Sequence, residues 1–277
     1  MSVWFAILLG LVQGVAEFLP ISSSGHLAIM QIFFADTSVP LLFDVLLHFG
    51  TLCSIFIVFR RDIGAMLREI GGFFSDAFTA KRKGNVKAAP ARRLVLLILV
   101  ATLPLVITLF FKGEVERLMQ SPVAVGLALC ATGLLLFATD RWMRGSKTER
   151  DATMGDALVV GTCQAVAALF PGLSRSGTTI AGGLFRKFDR AFAVRFSFLL
   201  SIPAVLGATL LEVADVAKEG IDAALLFPSI AGTLAAFLVG LWAISLVKRL
   251  VDKGRFGFFA YYCLAVGLIS IIASFLV

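Results

Sequence analysis

Cysteine is scarce in this sequence, and the few cysteines do not cluster. The chain contains four of them, Cys53, Cys130, Cys163 and Cys263, all far apart within apolar segments. Structural zinc sites and the disulfide frameworks of small secreted domains need closely spaced Cys or Cys/His groups, which are absent here. We therefore expect four buried free thiols with little bearing on function.

Charged side chains are also few. They make up 16% of the 277 residues, whereas 59% are hydrophobic and the mean hydropathy is +0.95. This excess of apolar sequence predicts several membrane spans rather than one buried core, so the lipid bilayer is the first expected partner. The net charge of +7 does not indicate nucleic acid, because the basic residues fall mainly in short loops beside apolar segments.

A cleaved signal peptide is not predicted. The first apolar stretch opens at Val3 without a basic region before it, and Gln13 and Glu17 interrupt the part that a signal peptide keeps uniformly apolar.

Six apolar segments are long enough to cross a bilayer: residues 40–59, 94–111, 123–139, 193–211, 227–247 and 258–277. Two more, residues 3–19 and 157–170, are each followed by a proline, a Ser/Gly break and a short apolar piece ending near Ala35 or Leu184. Such half-helices suit re-entrant hairpins whose turns are buried in protein. The sequence thus predicts an all-α integral membrane protein with six transmembrane helices and two re-entrant helical hairpins.

The distribution of lysine and arginine predicts the orientation. Residues 60–93 are rich in basic side chains, including Lys81, Arg82, Lys83 and Lys87, whereas residues 212–222 are mainly acidic. The first loop is therefore expected in the cytoplasm and the second outside. Alternation of the spans then places residues 112–120 outside and residues 141–150, 186–195 and 248–255 in the cytoplasm. The first hairpin is therefore expected to enter from outside and the second from the cytoplasm.

The two hairpins share a sequence pattern that predicts an internal repeat. The paired positions are Gln13 with Gln164, Pro20 with Pro171 and, after one inserted residue, Ser22, Ser24 and Gly25 with Ser174, Ser176 and Gly177. Three spans separate the copies, so the copies insert in opposite directions. We predict one membrane domain over residues 1–277, formed by a first repeat (1–139) and an inverted second repeat (155–277), with both Ser-rich turns meeting near the midplane.

Glu17 is the first candidate for chemistry. It lies four residues after Gln13, so both side chains share one helix face. A carboxylate near the bilayer centre costs about 2.5–3.5 kcal/mol even on the lenient insertion scale, which makes it a functional candidate by default. An ion pair with Arg175 is the plainer interpretation, and both can hold at once.

The two Ser-rich turns carry the remaining candidates. Ser22-Ser23-Ser24-Gly25-His26 offers the components of an activated nucleophile or an anion cradle, although helix capping and a buried histidine explain this pentapeptide better by itself. The second turn places Arg175 among the hydroxyls of Ser174, Ser176, Thr178 and Thr179 at a helix start. A guanidinium in that setting is well matched to phosphate oxygens.

Together, QGVAEFLPISSSGH (residues 13–26) and PGLSRSGTT (171–179) resemble the two signature motifs of the undecaprenyl-pyrophosphate phosphatase family, the bacitracin-resistance type. The resemblance covers essentially the whole chain. It implies removal of the terminal phosphate from a C55 isoprenoid pyrophosphate, which regenerates the lipid carrier for peptidoglycan synthesis and so supports cell shape. It also implies a divalent cation, Mg²⁺ or Ca²⁺, and a bacterial inner-membrane protein whose active site opens to the extracytoplasmic side.

The resemblance further implies residue roles. Four catalytic residues are expected: Glu17 as the acidic residue and candidate cation ligand, Ser23 as nucleophile, His26 as the essential histidine and Arg175 as the phosphate-binding arginine. The expected substrate-binding residues are Gln13, Ser22, Ser24, Gly25, Ser174, Ser176, Gly177, Thr178 and Thr179. Gln13 stands where many members carry a second glutamate, which weakens a two-carboxylate cation site in this chain.

Several alternatives stay open from the sequence. Ser23 attacks the terminal phosphorus with His26 as base, His26 attacks it directly, or a metal-bound water is the nucleophile. Glu17 either orients His26 or holds the cation. Asp44 and His48 are interpreted as a helix-start aspartate and an interfacial histidine without a catalytic role.

A secondary transporter or lipid translocator is the alternative function, because inverted repeats with broken helices are typical of transporters. A homodimer is the oligomer considered.

Overall fold

The computed structural model describes residues 1–34, 40–79, 90–142, 144–219, 223–252 and 257–276. These residues contain helices and no strand, which confirms the all-α class. Two 3₁₀ segments, Leu103–Phe111 and Ala223–Leu225, accompany the α-helices. The α-helices are α1 Val3–Ala16, α2 Ser23–Phe34, α3 Leu41–Val58, α4 Arg60–Thr79, α5 Pro90–Thr102, α6 Lys112–Met119, α7 Pro122–Trp142, α8 Met154–Leu169, α9 Arg175–Phe185, α10 Arg190–Glu219, α11 Leu226–Asp252 and α12 Gly257–Ala273.

Within the described residues, five helical stretches are long and apolar enough to cross a membrane. They are Leu41–Val58, Pro90–Met119, Pro122–Arg141, Arg190–Val213 and Leu226–Val251. Large apolar side chains such as Phe110 and Leu210 are 81% and 72% exposed, as expected for a lipid-facing surface. The chain is therefore a multi-pass membrane protein. The counterpart of the sixth expected span is α12, an apolar helix of only 17 residues.

Part of the predicted orientation signal falls on residues that are not described. Lys81, Arg82, Lys83 and Lys87 lie outside the described ranges, as does Ala35 at the expected end of the first hairpin. The loop expected over residues 60–93 begins instead with a 20-residue amphipathic helix, α4. Its apolar positions are too few for a span, and only their helical spacing distinguishes this segment from a loop.

The two sequence repeats fold into matching pairs of short helices. Helices α1 and α2 have 14 and 12 residues, and helices α8 and α9 have 16 and 11 residues. The members of each pair contact each other. Each first helix ends just before the Pro-containing break, because proline at this point removes a backbone donor and disfavours helix continuation.

In each of the two breaks, one residue adopts a left-handed backbone conformation with positive φ, which allows the chain to reverse direction. Ser22 has φ of 70° and Gly172 has φ of +104°. The inserted glycine of the second repeat thus adopts at little cost a conformation that strains a serine in the first repeat by about 1–3 kcal/mol. Strain of this kind persists only where the surrounding structure holds it, and it is concentrated at functional sites.

An acid at the start of α8 ties the second hairpin to its neighbours. Asp156 is fully buried and accepts from Lys147 Nζ at 3.0 Å and from Arg186 Nε at 2.7 Å, and the Thr153 amide donates to it at 2.9 Å. Burial alone raises the pKa of Asp156, but these hydrogen bonds outweigh it and lower the pKa to about 2. The carboxylate stays ionised and holds the ends of α8 and α9 together.

Glycine allows α1 to lie directly against α11. A Cβ atom built on Gly10 would lie 2.2 Å from the Gly232 carbonyl oxygen, and one built on Gly14 would lie 2.7 Å from the Ala236 carbonyl oxygen. Small residues of this kind let membrane helices approach closely enough for backbone packing. The position of α1, and with it that of Glu17, depends on this contact.

We expect Gly10→Ala to destabilise the protein by about 1–3 kcal/mol, because the added methyl group overpacks the α1–α11 interface. Gly64→Ala in α4 is the matched control, since nothing lies within 4 Å of its added Cβ. Thermal unfolding in detergent should show a lower midpoint for Gly10→Ala alone. Equal midpoints for the two variants would contradict the close packing.

Candidate active site

A cavity of about 440 Å³ opens where the two hairpins meet. One side is apolar and comes from the 3₁₀ segment after α5, from α6 and from α10; the other side is polar. We call the second side the polar wall, and it consists of Glu17, Ser22, Ser23, Ser24, His48, Gln164, Ser174, Arg175 and Ser176.

An ion pair joins the two turns. Arg175 Nη2 donates to Glu17 Oε1, as the sequence suggested for these two residues. Ser176 Oγ also donates to the Leu19 carbonyl oxygen at 3.2 Å. The second Ser-rich turn therefore contacts the first turn through both the Ser176 hydroxyl and the Arg175 guanidinium. Residues far apart in the chain thereby form one polar surface inside an apolar bundle.

Glu17 accepts hydrogen bonds from three sides. Besides Arg175, Ser23 Oγ donates to its Oε2 at 2.7 Å and Gln13 Nε2 donates to the same oxygen at 3.0 Å. The residue is only 5% exposed. A buried carboxylate with a paired cation and several donors stays charged, and its short contact with Ser23 places a base within reach of that hydroxyl.

Arg175 has unused donor capacity. It is the first residue of α9, and Ser174 caps this helix by accepting from the Gly177 amide at 3.1 Å. Its Nη1 is buried without a hydrogen-bond partner among the described residues. Guanidinium N–H groups left unsatisfied in a buried setting are costly, so this donor indicates an anion at the helix start.

Not every predicted binding residue reaches the cavity. Thr178 and Thr179 donate to the Ser174 and Arg175 carbonyl oxygens, at 3.0 and 2.8 Å, and thereby stiffen the first turn of α9. The turn amides of Gly25 and Gly177 donate to Ser22 and Ser174. Gln13 is fully buried and contacts the site through Glu17. Direct substrate binding by Gly25, Gly177, Thr178, Thr179 and Gln13 stays a prediction.

His26 lies away from the polar wall. Its Nδ1 bonds the Ser22 carbonyl oxygen at 2.8 Å, and its Nε2 bonds the Tyr262 hydroxyl at 2.8 Å while the two rings stack. The expected Ser23–His26 pair is thus replaced by the Ser23–Glu17 hydrogen bond. The Ser22 carbonyl oxygen, which already accepts the His26 amide at 3.2 Å, also binds the imidazole one helical turn later. In this arrangement His26 supports the strained turn, and its catalytic role stays a prediction.

His48 belongs to the site although the sequence interpretation placed it at the membrane interface. Its Nδ1 lies 3.0 Å from Gln13 Nε2 and 3.7 Å from Glu17 Oε2. The helical spacing of Asp44 and His48 was visible in the sequence. The sequence does not show how α3 packs against α1, and this packing is what turns His48 toward Gln13.

Gln164 carries an unsatisfied amide. It is fully buried, and neither its Oε1 nor its Nε2 has a hydrogen-bond partner among the described residues. Gln13, its repeat counterpart, binds Glu17 four residues later, whereas Ala168 occupies that position in the second copy. The chemistry of the two hairpins therefore differs although their backbones match.

The oxygen atoms of the site are too few to coordinate a divalent cation without oxygens from the substrate. The described residues contain no group of three or more His, Cys, Asp and Glu side chains that could hold a metal ion. Mg²⁺ is commonly held by one or two carboxylates together with substrate phosphates and water. Glu17 supplies one carboxylate, and the buried, unpaired Oε1 of Gln13 is a nearby oxygen donor.

The fold and the site define a class: a multi-pass helical membrane protein with a cavity that combines an arginine, a carboxylate and several hydroxyls. Comparison with known proteins narrows this class. Residues 6–269 match the family model described as bacitracin resistance protein BacA. The chain belongs to the BacA family.

Similar proteins agree with this assignment over the full length. The chain is 43% identical over 280 residues to a protein of Alkaliphilus metalliredigens, with 100% of both chains covered. It is 43% identical to one of Desulforapulum autotrophicum, with 99% of each chain covered, and 38% identical to one of Methanosphaera stadtmanae, with 97% of each covered. All three relatives are named undecaprenyl-diphosphatase.

Proposed function

We propose that this protein hydrolyses undecaprenyl pyrophosphate to undecaprenyl phosphate and inorganic phosphate. It thereby recycles the lipid carrier of cell-wall synthesis and confers resistance to bacitracin. The observation that carries the proposal is that Arg175 Nη1, at a helix start, has no hydrogen-bond partner in the described part of the chain and lies at a cavity shared with Glu17 and Ser23. The names of the full-length relatives support the same reaction.

The two sides of the cavity suit the two parts of such a substrate. The pyrophosphate would lie on the polar wall beside Ser174 and Ser176, where Arg175 Nη1 offers a donor that no described residue takes up. The isoprenoid chain would lie against the apolar side, which includes Leu105, Leu109 and further apolar residues of the 3₁₀ segment, α6 and α10. Burial of hydrocarbon there adds affinity without fixing chain length.

Ser23 is the proposed nucleophile. Its Oγ attacks the terminal phosphorus while its proton passes to Glu17 Oε2, to which it already donates at 2.7 Å. Undecaprenyl phosphate leaves with the electron pair of the broken anhydride P–O bond, and water then releases phosphate from the serine. Arg175 stabilises the charge on the transferred group, which is the main requirement of phosphoryl transfer. A divalent cation bound with the substrate would neutralise further charge, with Glu17 as its protein ligand.

The proposed architecture is two inverted repeats, 1–139 and 155–277, each with one re-entrant hairpin and three spans. The helix contacts support it. Helix α1 packs on α11 and its counterpart α8 packs on α5; α3 packs on α11 and α10 packs on α5. The equivalent helices α3 and α10, and likewise α7 and α12, pack on each other. This pattern is expected when a two-fold axis in the membrane plane relates the halves.

The cavity is proposed to open to the extracytoplasmic side of the inner membrane. Its wall includes Val115 and Met119 of α6 and Glu212 of α10, which belong to the two loops that the charge distribution assigned to the outside. Lys147 and Arg186, the two basic partners of Asp156, belong to the loops assigned to the cytoplasm. The homodimer stays a prediction.

A transporter activity, the alternative from the sequence, is not supported. The relatives carry the name of a hydrolase, and the cavity holds a serine hydrogen-bonded to a base. A carrier needs a substrate site but no such pair.

Arg175→Ala and Glu17→Ala should each reduce phosphate release from undecaprenyl pyrophosphate in detergent by at least about 100-fold, as expected when a charge-stabilising group or a base is removed. Ser245→Ala, which removes an exposed hydroxyl of α11 far from the cavity wall, should retain full activity. Near-normal turnover in either charge variant, with the protein still folded, would refute the roles given to these residues.

Ser23 should form a covalent intermediate. Brief incubation with substrate labelled in its terminal phosphate, followed by acid quenching, should leave label on wild-type protein and none on Ser23→Ala, while Ser24→Ala remains labelled. Label on the Ser23→Ala protein would identify another nucleophile, and His26→Ala would then be the next variant to compare.

The opening of the cavity can be tested with cysteine substitutions in a background in which the four native cysteines are replaced by alanine. Ser24→Cys on the polar wall should react with a membrane-impermeant thiol reagent in intact cells. Thr148→Cys, in the exposed loop before α8, should react only after permeabilisation. The reverse pattern would place the cavity opening in the cytoplasm.

A further inference from the structure

His48 is a polar residue of the cavity to which the proposed mechanism assigns no task. Its side chain is 28% exposed, and it lies on the polar wall together with Glu17, Ser23 and Arg175. A histidine in a membrane-crossing helix usually has a functional role, because placing its polar ring among apolar neighbours destabilises the protein. The hydrogen bonds around it define what it can do.

The orientation of the Gln13 amide is fixed by its neighbour. Glu17 Oε2 lies 3.0 Å from the Gln13 atom assigned as Nε2. An ionised carboxylate only accepts hydrogen bonds, so the amide must turn its nitrogen to Glu17 and not its oxygen. The same nitrogen lies 3.0 Å from His48 Nδ1 and directs its second N–H there.

The amide orientation in turn fixes the tautomer of His48. Because Gln13 donates to Nδ1, this ring nitrogen must carry a lone pair, and the proton of the neutral imidazole resides on Nε2. An imidazolium would set an N–H against the amide N–H. A chain of hydrogen bonds thus runs from His48 through Gln13 to Glu17, and the acceptor in each bond fixes the orientation of the donor. As a result, the Nε2–H of His48 lies on the side of the ring away from Gln13.

We propose that His48 is a substrate-binding residue that donates this Nε2–H to an oxygen of the bound pyrophosphate. The proposal rests on the function proposed above and adds a neutral donor to the charged donor Arg175. The two residues come from different repeats, so the anion would be held between α3 of the first half and the start of α9 in the second. The ring acts by hydrogen bonding and transfers no proton.

The chemistry of this task suggests a discriminating pair of variants. Gln offers an N–H donor and an acceptor for Gln13, without a ring or a titratable proton, whereas Leu offers neither. His48→Gln should therefore preserve function, and His48→Leu should lose it. Phe49→Leu is the matched control, because Phe49 is the next residue of α3 and lies on its outer face at 46% exposure.

Initial rates of phosphate release from undecaprenyl pyrophosphate in detergent micelles give kcat and KM for each protein. We expect His48→Leu to raise KM by about tenfold or more, the loss of one hydrogen bond to a charged group, with kcat changed far less. His48→Gln should stay within about threefold of the wild-type KM, and Phe49→Leu should be indistinguishable from wild type. The inhibition constant of inorganic pyrophosphate should rise in parallel with KM.

Two results would overturn the proposal in active, folded protein. An unchanged KM in His48→Leu would show that the ring does not touch the substrate. Equal impairment of His48→Gln and His48→Leu would show that the ring does something that an amide donor cannot. Absence of phosphate release from the wild-type protein would instead refute the proposed function itself. If His48→Leu melts below the assay temperature, His48→Met provides the apolar variant.

Discussion

The ion pair between Glu17 and Arg175 is the contact on which the remaining structure depends. Each partner alone would be an unpaired charge in an apolar bundle, and removing one partner of such a pair typically costs about 3–5 kcal/mol. The pair forms only where the two Ser-rich turns meet, so it constrains how the helix pair α1–α2 lies against the pair α8–α9. The glycine contact of α1 with α11 and the buried Asp156 of α8 hold these helices against their neighbours.

The repeat supplies two similar scaffolds, and the chemistry arises where they differ. Ser23 and Arg175 occupy equivalent positions as the first residues of α2 and α9. One is the proposed nucleophile beside a carboxylate, and the other is a cation whose Nη1 has no partner among the described residues. Glu17 has Ala168 as its counterpart, which leaves Gln164 without the partner that Gln13 has. A symmetric pair of turns could provide an anion cradle, but only this asymmetry puts a cation, a base and the proposed nucleophile on one wall.

Much of the fold was predictable because membrane helices are specified locally. The lengths of the apolar segments and the positions of the Pro-Ser-Gly breaks predict the ends of α1, α3, α8 and α9 to within a few residues. The Glu17–Arg175 pair was predictable because a buried charge needs a partner and the repeat placed the two turns together. Helix α4 was missed, since its balanced composition resembles a solvated loop unless the helical spacing is examined.

The details of the site were harder to predict because they depend on side-chain register between helices. Nothing local indicates that Ser23 turns to Glu17 while His26 turns to Tyr262, or that His48 faces Gln13. The left-handed backbone at Ser22, whose carbonyl oxygen His26 binds, is a product of the surrounding packing.

The most direct measurement is an experimental structure with a prenyl methylene-bisphosphonate, in which a carbon replaces the bridging oxygen and prevents cleavage. The account predicts the terminal phosphonate within hydrogen-bond distance of Arg175 Nη1 and next to Ser23 Oγ, with the hydrocarbon chain along the 3₁₀ segment and α10. A bisphosphonate bound elsewhere, with Arg175 still paired only to Glu17, would contradict it.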